Sequence, residues 1–319
     1  MRQPEHIIKS TLLDDIALSI LNERYLGNMA LLSLVRKNLL HDGILSALSQ
    51  SGFLQACVFH GGTALQRFYG NTRLSEDLDF SYNGKQEKNF HNFCRDFEQI
   101  VREVLQKTYQ IAGEKIAVET SKTRFAEKSG AVQTWKIKID IGRMQHKELV
   151  KIEIDNMHTF TGQPKVLTPV SPRLSIPAVL MDVRTKEEIF TDKVSALACR
   201  SRIFARDVFD LDFLSRDTRM DMNMLKEKML LRGLIDAPQI RGQVRQRSAA
   251  LSAPDTAMID TFLHELQRFF HPETMKNLQA SGILNNMCTT AANALSSFEQ
   301  ILQATPTQPP DASQTGLHP

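Results

Sequence analysis

Apolar residues recur at three- and four-residue intervals between positions 5 and 50, through Ile16, Ile20, Leu21, Leu31, Leu34, Val35, Leu39 and Leu45, which predicts two or three packing helices. A short apolar run at 53–59 leads into Gly61-Gly62-Thr63, followed by one or two helical turns over 64–68 and an alternating strand at 77–81 that Asn83-Gly84 closes with turn chemistry. From 87 to 111, Phe90, Phe93, Phe97, Ile100, Val101, Val104 and Leu105 form one stripe of an amphipathic helix whose aromatics belong to the core. The period then changes to two. Strands are expected at 116–125 and 132–141, the latter setting Trp135, Ile137, Ile139 and Ile141 against Lys136, Lys138 and Asp140. After a turn at 142–147, Val150, Ile152 and Ile154 share one strand face, and Lys151, Glu153 and Asp155 share the other.

Residues 164–177, rich in Pro and Ser, read as a connector before a short strand at 178–183. Thr185 and Glu188 form a capping-box pattern that starts a helix near 186. Its apolar stripe of Ile189, Phe190, Val194, Ala196 and Leu197 also contains Lys193 and Arg200. A buried ammonium needs a counter-ion, so Lys193 meets either a carboxylate such as Asp207 or a phosphate. Beyond 215 the chain is helical, with Leu263, Leu266, Phe269, Phe270 and Leu284 as packing positions. Lys226, Lys228, Arg232, Arg241, Arg245 and Arg247 form either a nucleic-acid-binding face or a solvated one. The expected organisation is N-terminal helices (1–52), an α/β core with a mixed sheet (53–184), a helical C-terminal domain (185–303) and a disordered tail (304–319).

Composition narrows the class without choosing a function. In 319 residues, 42% are hydrophobic and 24% charged, so a globular chain with room for two domains is expected. The net charge of +3 is too mild to demand a nucleic-acid partner. Cys57, Cys94, Cys199 and Cys288 lie far apart, against a zinc motif or a disulfide framework, and imply a reducing cytoplasm. The N-terminus lacks a signal-peptide core, and no run approaches the ~20 apolar residues that span a bilayer.

The chemistry concentrates between His60 and Phe80. On a strand, Asp77 and Asp79 project from one face while Leu78 and Phe80 enter the core. Two carboxylates held together repel unless a cation lies between them, and hard oxygen ligands favour Mg²⁺. Gly61, Gly62 and Thr63 supply a turn with backbone N–H groups and a hydroxyl, suited to phosphate, with Arg73 and Ser75 between turn and strand as further nucleotide contacts. On the 149–155 strand, Glu153, or Asp155 in its place, is a third acid for a site that bridges two ions.

The run Gly-Gly-Thr-Ala-Leu, Phe-Tyr-Gly, Arg-Leu-Ser-Glu-Asp-Leu-Asp-Phe resembles the first motif of the AbiEii/AbiGii-type nucleotidyltransferase toxins, a branch of the DNA polymerase β-like superfamily. The resemblance returns near 151–155 and 186–214, and departs in having Thr63 where the wider superfamily often has serine. It implies a polymerase β-like nucleotidyltransferase core and an acid at Glu153 within Lys-Ile-Glu-Ile. Through Asp192-Lys193 and Arg206-Asp207-Val208-Phe209-Asp210-Leu211 it assigns Lys193 to nucleotide phosphates and Asp210 to catalytic support. It further implies an NTP substrate, Mg²⁺, an RNA acceptor that in some members is the tRNA 3′ end, and an antitoxin protein or kinase as partner. Transfer to a protein hydroxyl or small molecule, and a non-catalytic binding module, are the alternatives.

Overall fold

The computed structural model describes residues 12–82, 97–120, 124–126, 130–140, 147–155, 159–234, 238–280 and 282–304. The expected Asn83-Gly84 turn, Phe90 and Phe93, the 142–146 turn and residues 305–319 lie outside these. The chain divides into two compact units, 1–186 with 266–277, and 187–265 with 278–319.

In the first unit, α1 (Leu12–Tyr25) and α2 (Leu32–Gln50) realise the N-terminal helical pattern. Then follow β1 (Cys57–His60), α3 (Gly61–Tyr69), β2 (Asp77–Tyr82) and α4 (Phe97–Tyr109). The remaining strands are β3 (Ile116–Thr120), β4 (Arg124–Ala126), β5 (Gly130–Asp140), β6 (Lys147–Asp155), β7 (Gln163–Leu167) and β8 (Val179–Val183). They make one mixed sheet in the order β3-β5-β6-β2-β1-β8-β7, with β4 also paired to β5. The β2–β6 and β1–β8 pairs are parallel and the others antiparallel.

Period-two alternation decides which sheet face is dry. Phe59, Leu78, Phe80, Trp135, Ile137, Val150, Ile152 and Ile154 are all buried, and each such side chain contributes about 1.5–3 kcal/mol on full burial. Helix α2 packs on β6 and touches α1 and α4. It is buried on nearly all sides, so its polar residues need partners: Asn38 donates to Leu34 and Ser75 carbonyls, and Asp42 accepts from Arg67 at 2.7 Å.

Two expectations differ from the fold. The strand expected at 116–125 is two strands, β3 and β4, both lying along β5. The expected connector at 164–177 begins with strand β7, where Pro164 pairs opposite Asp182. Proline cannot donate to a ladder, but β7 is the sheet edge, where one side has no ladder to serve.

In the second unit, α5 (Lys186–Cys199) is followed by α6 (Ala205–Ser215), α7 (Met222–Leu231), α8 (Pro238–Ser252) and α9 (Thr256–Leu266). After α10 (Pro272–Ala280), the long α11 (Ile283–Ala304) packs against α8 and α6. The 266–277 excursion belongs to the first unit, where the Phe269 carbonyl accepts from Leu74 N at 3.0 Å.

Candidate active site

The half-exposed face of the sheet carries the acids. Strand register sets Thr134 opposite Glu153, Glu153 opposite Asp79, and Asp79 opposite His60, a single row across four strands. Directly paired residues share a face, so this row looks out on the side away from Leu78 and Phe80. The next row brings Asp77 beside Lys151, and the row beyond brings Ser81 beside Asp155. Asp77, Asp79 and Glu153 therefore share one face on adjacent parallel strands.

The glycine turn lies against this row. Gly61 has φ +79°, and a Cβ there would run into the Asp79 carboxylate. Only glycine permits both that conformation and that approach. Helix α3 starts at Gly61, and its N-cap residue His60 makes no side-chain capping bond. First-turn N–H groups without a cap, at the positive end of a helix dipole, suit an anion.

Behind the turn, several expected nucleotide contacts are occupied with the fold. Thr63 is fully buried and its hydroxyl donates to the Asp77 carbonyl, tying α3 to the start of β2. Arg73 is 3% exposed, donates to the Leu74 carbonyl at 3.0 Å, and lies 5.6 Å from the Phe269 ring centroid. A Cβ on Gly62 would approach Arg73 Nη2 at 2.5 Å and Ser75 Oγ at 2.9 Å. Thr63, Arg73 and Ser75 thus brace the glycine turn from its buried side.

Glu153 is held by Lys151, at 2.6 Å, and by the Thr134 hydroxyl at 3.3 Å. Among the described residues, no three His, Cys, Asp or Glu side chains converge closely enough to hold a metal ion as they lie. The donor set nonetheless fits a hard divalent cation. The candidate donors on this face are all carboxylate oxygens, the type a hard cation takes, and Lys151 is the counter-charge of Glu153. Lys151 and Glu153 are about one-third exposed, at 34% and 35%, so burial locks neither side chain in place.

Asp155, the substitute third acid, is turned to other work. Ser81 donates to it at 2.6 Å, and His60 Nε2 lies 3.7 Å from its other oxygen. Burial alone would raise the Asp155 carboxyl, but His60, Arg184 and Ser81 outweigh it and hold the group below the usual carboxylate range. Arg184 is 2% exposed and also donates to Ser81 and to Thr159. Sequence reasoning missed His60, Ser81 and Arg184 as a group. The signal available was periodicity, since Ser81 is the next position on the strand face of Asp77 and Asp79, although it is buried there.

Lys193 and Asp210 lie in the second unit and are brought to each other. Lys193 Nζ is 2.6 Å from Asp210 Oδ2 and 3.2 Å from Asp207 Oδ1, and both carboxylates are buried. The counter-ion that the buried stripe required is therefore a pair of acids. Arg206 does not bridge to Asp210 as an i,i+4 pair; its guanidinium lies 5.1 Å from the Phe204 ring centroid.

An eight-stranded mixed sheet carrying two aspartates and a glutamate on neighbouring strands, beside an uncapped Gly-Gly helix start, defines a nucleotidyltransferase core. Residues 43–303 match the family model described as nucleotidyl transferase AbiEii toxin, type IV TA system. The chain belongs to that family, and it is a nucleotidyltransferase of a toxin–antitoxin system, which implies an antitoxin partner. Among solved structures it is similar to a candidate nucleotidyltransferase from H. pylori, at 17% identity and a TM-score of 0.43 over 83% of this chain and 94% of the other. It is also similar to JHP933 from Helicobacter pylori, at 16% identity and a TM-score of 0.42 over 85% and 94%. A comparison with curated proteins gave no significant match. Among the described residues no helix is long and apolar enough to cross a membrane.

Proposed function

We propose that the protein transfers a nucleoside monophosphate from an NTP to a hydroxyl of an RNA acceptor, tRNA 3′ ends included, with Mg²⁺ as cofactor, and that it does so in the cytoplasm. The observation that carries this reading is the register of Asp79 against Glu153, with Asp77 two residues before on the same face and Gly61 in contact with the Asp79 carboxylate.

Asp77, Asp79 and Glu153 would hold the metal, which when bound supplies charge stabilisation at the triphosphate and activation of the attacking oxygen. The first-turn N–H groups of α3 bind the triphosphate oxygens, and Thr63 fixes the distance between that turn and Asp77 by bonding the Asp77 carbonyl. The acceptor oxygen forms a bond to the α-phosphorus as the bond to the β-bridging oxygen breaks, pyrophosphate leaves, and the hydroxyl proton passes to the Glu153 carboxylate. Lys151, paired to Glu153 and beside Asp77 in register, would supply positive charge on the same face. Lys193 and Asp210, which bond each other within the second unit, are assigned to a nucleotide phosphate and to catalytic support as the family resemblance implies. Cys57, Cys199 and Cys288 are free thiols, in keeping with a reducing compartment.

The test is incubation of the full chain with each labelled NTP, a tRNA pool and total cell protein, with Mg²⁺ or EDTA. Label on RNA that disappears with EDTA and in Asp79→Asn is the expected result. Label on protein alone redirects the reading to a protein hydroxyl, and label that survives in Asp79→Asn sinks the assigned site.

A further inference from the structure

The basic face expected along the C-terminal helices is largely used up inside the second unit. Lys228 is 3% exposed and bonds Glu188 at 2.9 Å and Asp192 at 2.8 Å, Arg232 pairs with Asp192, and Arg245 with Glu299. Arg247 is buried and gives its guanidinium to the Leu197 and Arg200 carbonyls. A different cationic surface takes its place.

Phe204, the half-buried residue before α6, has three guanidinium groups around its ring. Those of Arg202, Arg206 and Arg200 lie 4.2, 5.1 and 5.6 Å from the ring centroid. Three like charges on one ring repel each other and call for anions. Two are present, Asp207 on Arg200 and Glu265 on Arg202. Arg206 has no carboxylate at ion-pair distance among the described residues, so the cluster keeps an excess positive charge.

The cluster borders a groove of about 680 Å³ walled by Ser201 and Arg202 on one side and by Gln239, Gln243 and Gln246 of α8 on the other. Spacings of four and three put the glutamines on one helix face, and Gln243 is fixed there by donating to the Arg200 carbonyl at 2.9 Å. Among the described residues, no acid lines the groove. Primary amides carry both donors and acceptors, the pattern that pairs with base edges. Guanidinium planes beside an aromatic ring are what single-stranded nucleic acids use for stacking and phosphate neutralisation. An acidic protein segment would use the arginines and bond its backbone to the amides, but it brings no flat bases to stack on the guanidinium planes.

We propose that this surface docks a single-stranded segment of the RNA acceptor, with phosphates on Arg206 and Arg202 and base edges against the three glutamines. The assignment rests on the RNA-acceptor reading above. It is tested by fluorescence anisotropy of the full chain with a labelled mixed-sequence oligoribonucleotide across a salt series, without NTP. Arg206→Glu is expected to weaken binding at least about tenfold, and to reduce the slope of log affinity against log salt by about 0.7 for each phosphate that is no longer neutralised. The double variant Gln239→Ala/Gln246→Ala is expected to weaken binding with an unchanged slope. Melting temperatures establish that each variant is folded. Unchanged binding by folded Arg206→Glu overturns the proposal, as does competition by poly-glutamate equal to that by unlabelled oligoribonucleotide. These results are separable from failure of the transferase reading, in which RNA binds through Arg206 but acquires no nucleotide.

Discussion

The residue on which the site geometry turns most sharply is Gly61. Its φ of +79° costs an L-residue about 1–2 kcal/mol, and a methyl there collides with Asp79. Gly70 offers the matching control, since its φ is +78° but nothing lies within 4 Å of a Cβ. Gly61→Ala and Gly70→Ala should lose similar stability, about 1–2 kcal/mol in urea unfolding, while only Gly61→Ala loses transfer activity, by about 100-fold, as expected when a reacting group is displaced by about 1 Å. Equal activity of the two would remove Asp79 from the site. The shared face of Asp77, Asp79 and Glu153 was legible in the sequence because strand periodicity is local. What Thr63 and Arg73 touch was not, because those partners come from elsewhere in the chain: the Asp77 carbonyl of β2 for one, and the ring of Phe269 for the other.

Among the elements, α3 and β2 are joined by one buried side chain. Thr63→Val keeps the shape of Thr63 but removes its hydroxyl, leaving the Asp77 carbonyl without that donor. The expected cost is about 1–3 kcal/mol, with a fall in kcat, and Thr63→Ser should restore both. If Thr63 instead contacted nucleotide, Thr63→Val would raise KM and leave stability unchanged. In α5 and α6, Asp210 is 0% exposed and bonds buried Lys193, so Asp210→Ala should destabilise by about 3–5 kcal/mol in thermal or urea unfolding. Loss of transfer in that variant reports catalysis only if its fold survives, which circular dichroism checks. A capping-box pattern and an apolar stripe located α5, and periodicity located most strands. It missed β7, because edge position, a property of the whole sheet, is what lets Pro164 sit in a strand.

For the whole molecule, a net charge of +3 conceals buried ionisable groups that composition cannot locate, and these make stability depend on pH. The sharpest case is His41, fully buried in α2, with Nε2 donating to the Glu76 carbonyl at 3.1 Å. Burial first, then the nearby charges of Arg67 and Lys37, push its pKa down to about 3, against the hydrogen bond to Glu76. The folded protein therefore keeps the ring neutral where the unfolded chain takes up a proton. Stability from this group is complete above its ordinary pKa of about 6.5 and declines as pH falls toward 3, at about 1.4 kcal/mol per pH unit. Between pH 6.5 and about 5 most carboxylates are still ionised, so the loss there belongs largely to His41. The single tryptophan, Trp135, is 1% exposed in the sheet of the same unit, and its fluorescence reports that unit's unfolding. Urea titrations at about pH 7.5 and about pH 5.5 should differ by about 1.4 kcal/mol in the wild type. His41→Gln retains an N–H donor but cannot titrate, and its two curves should nearly coincide. A difference in the variant as large as in the wild type would assign the acid sensitivity to the carboxylates instead.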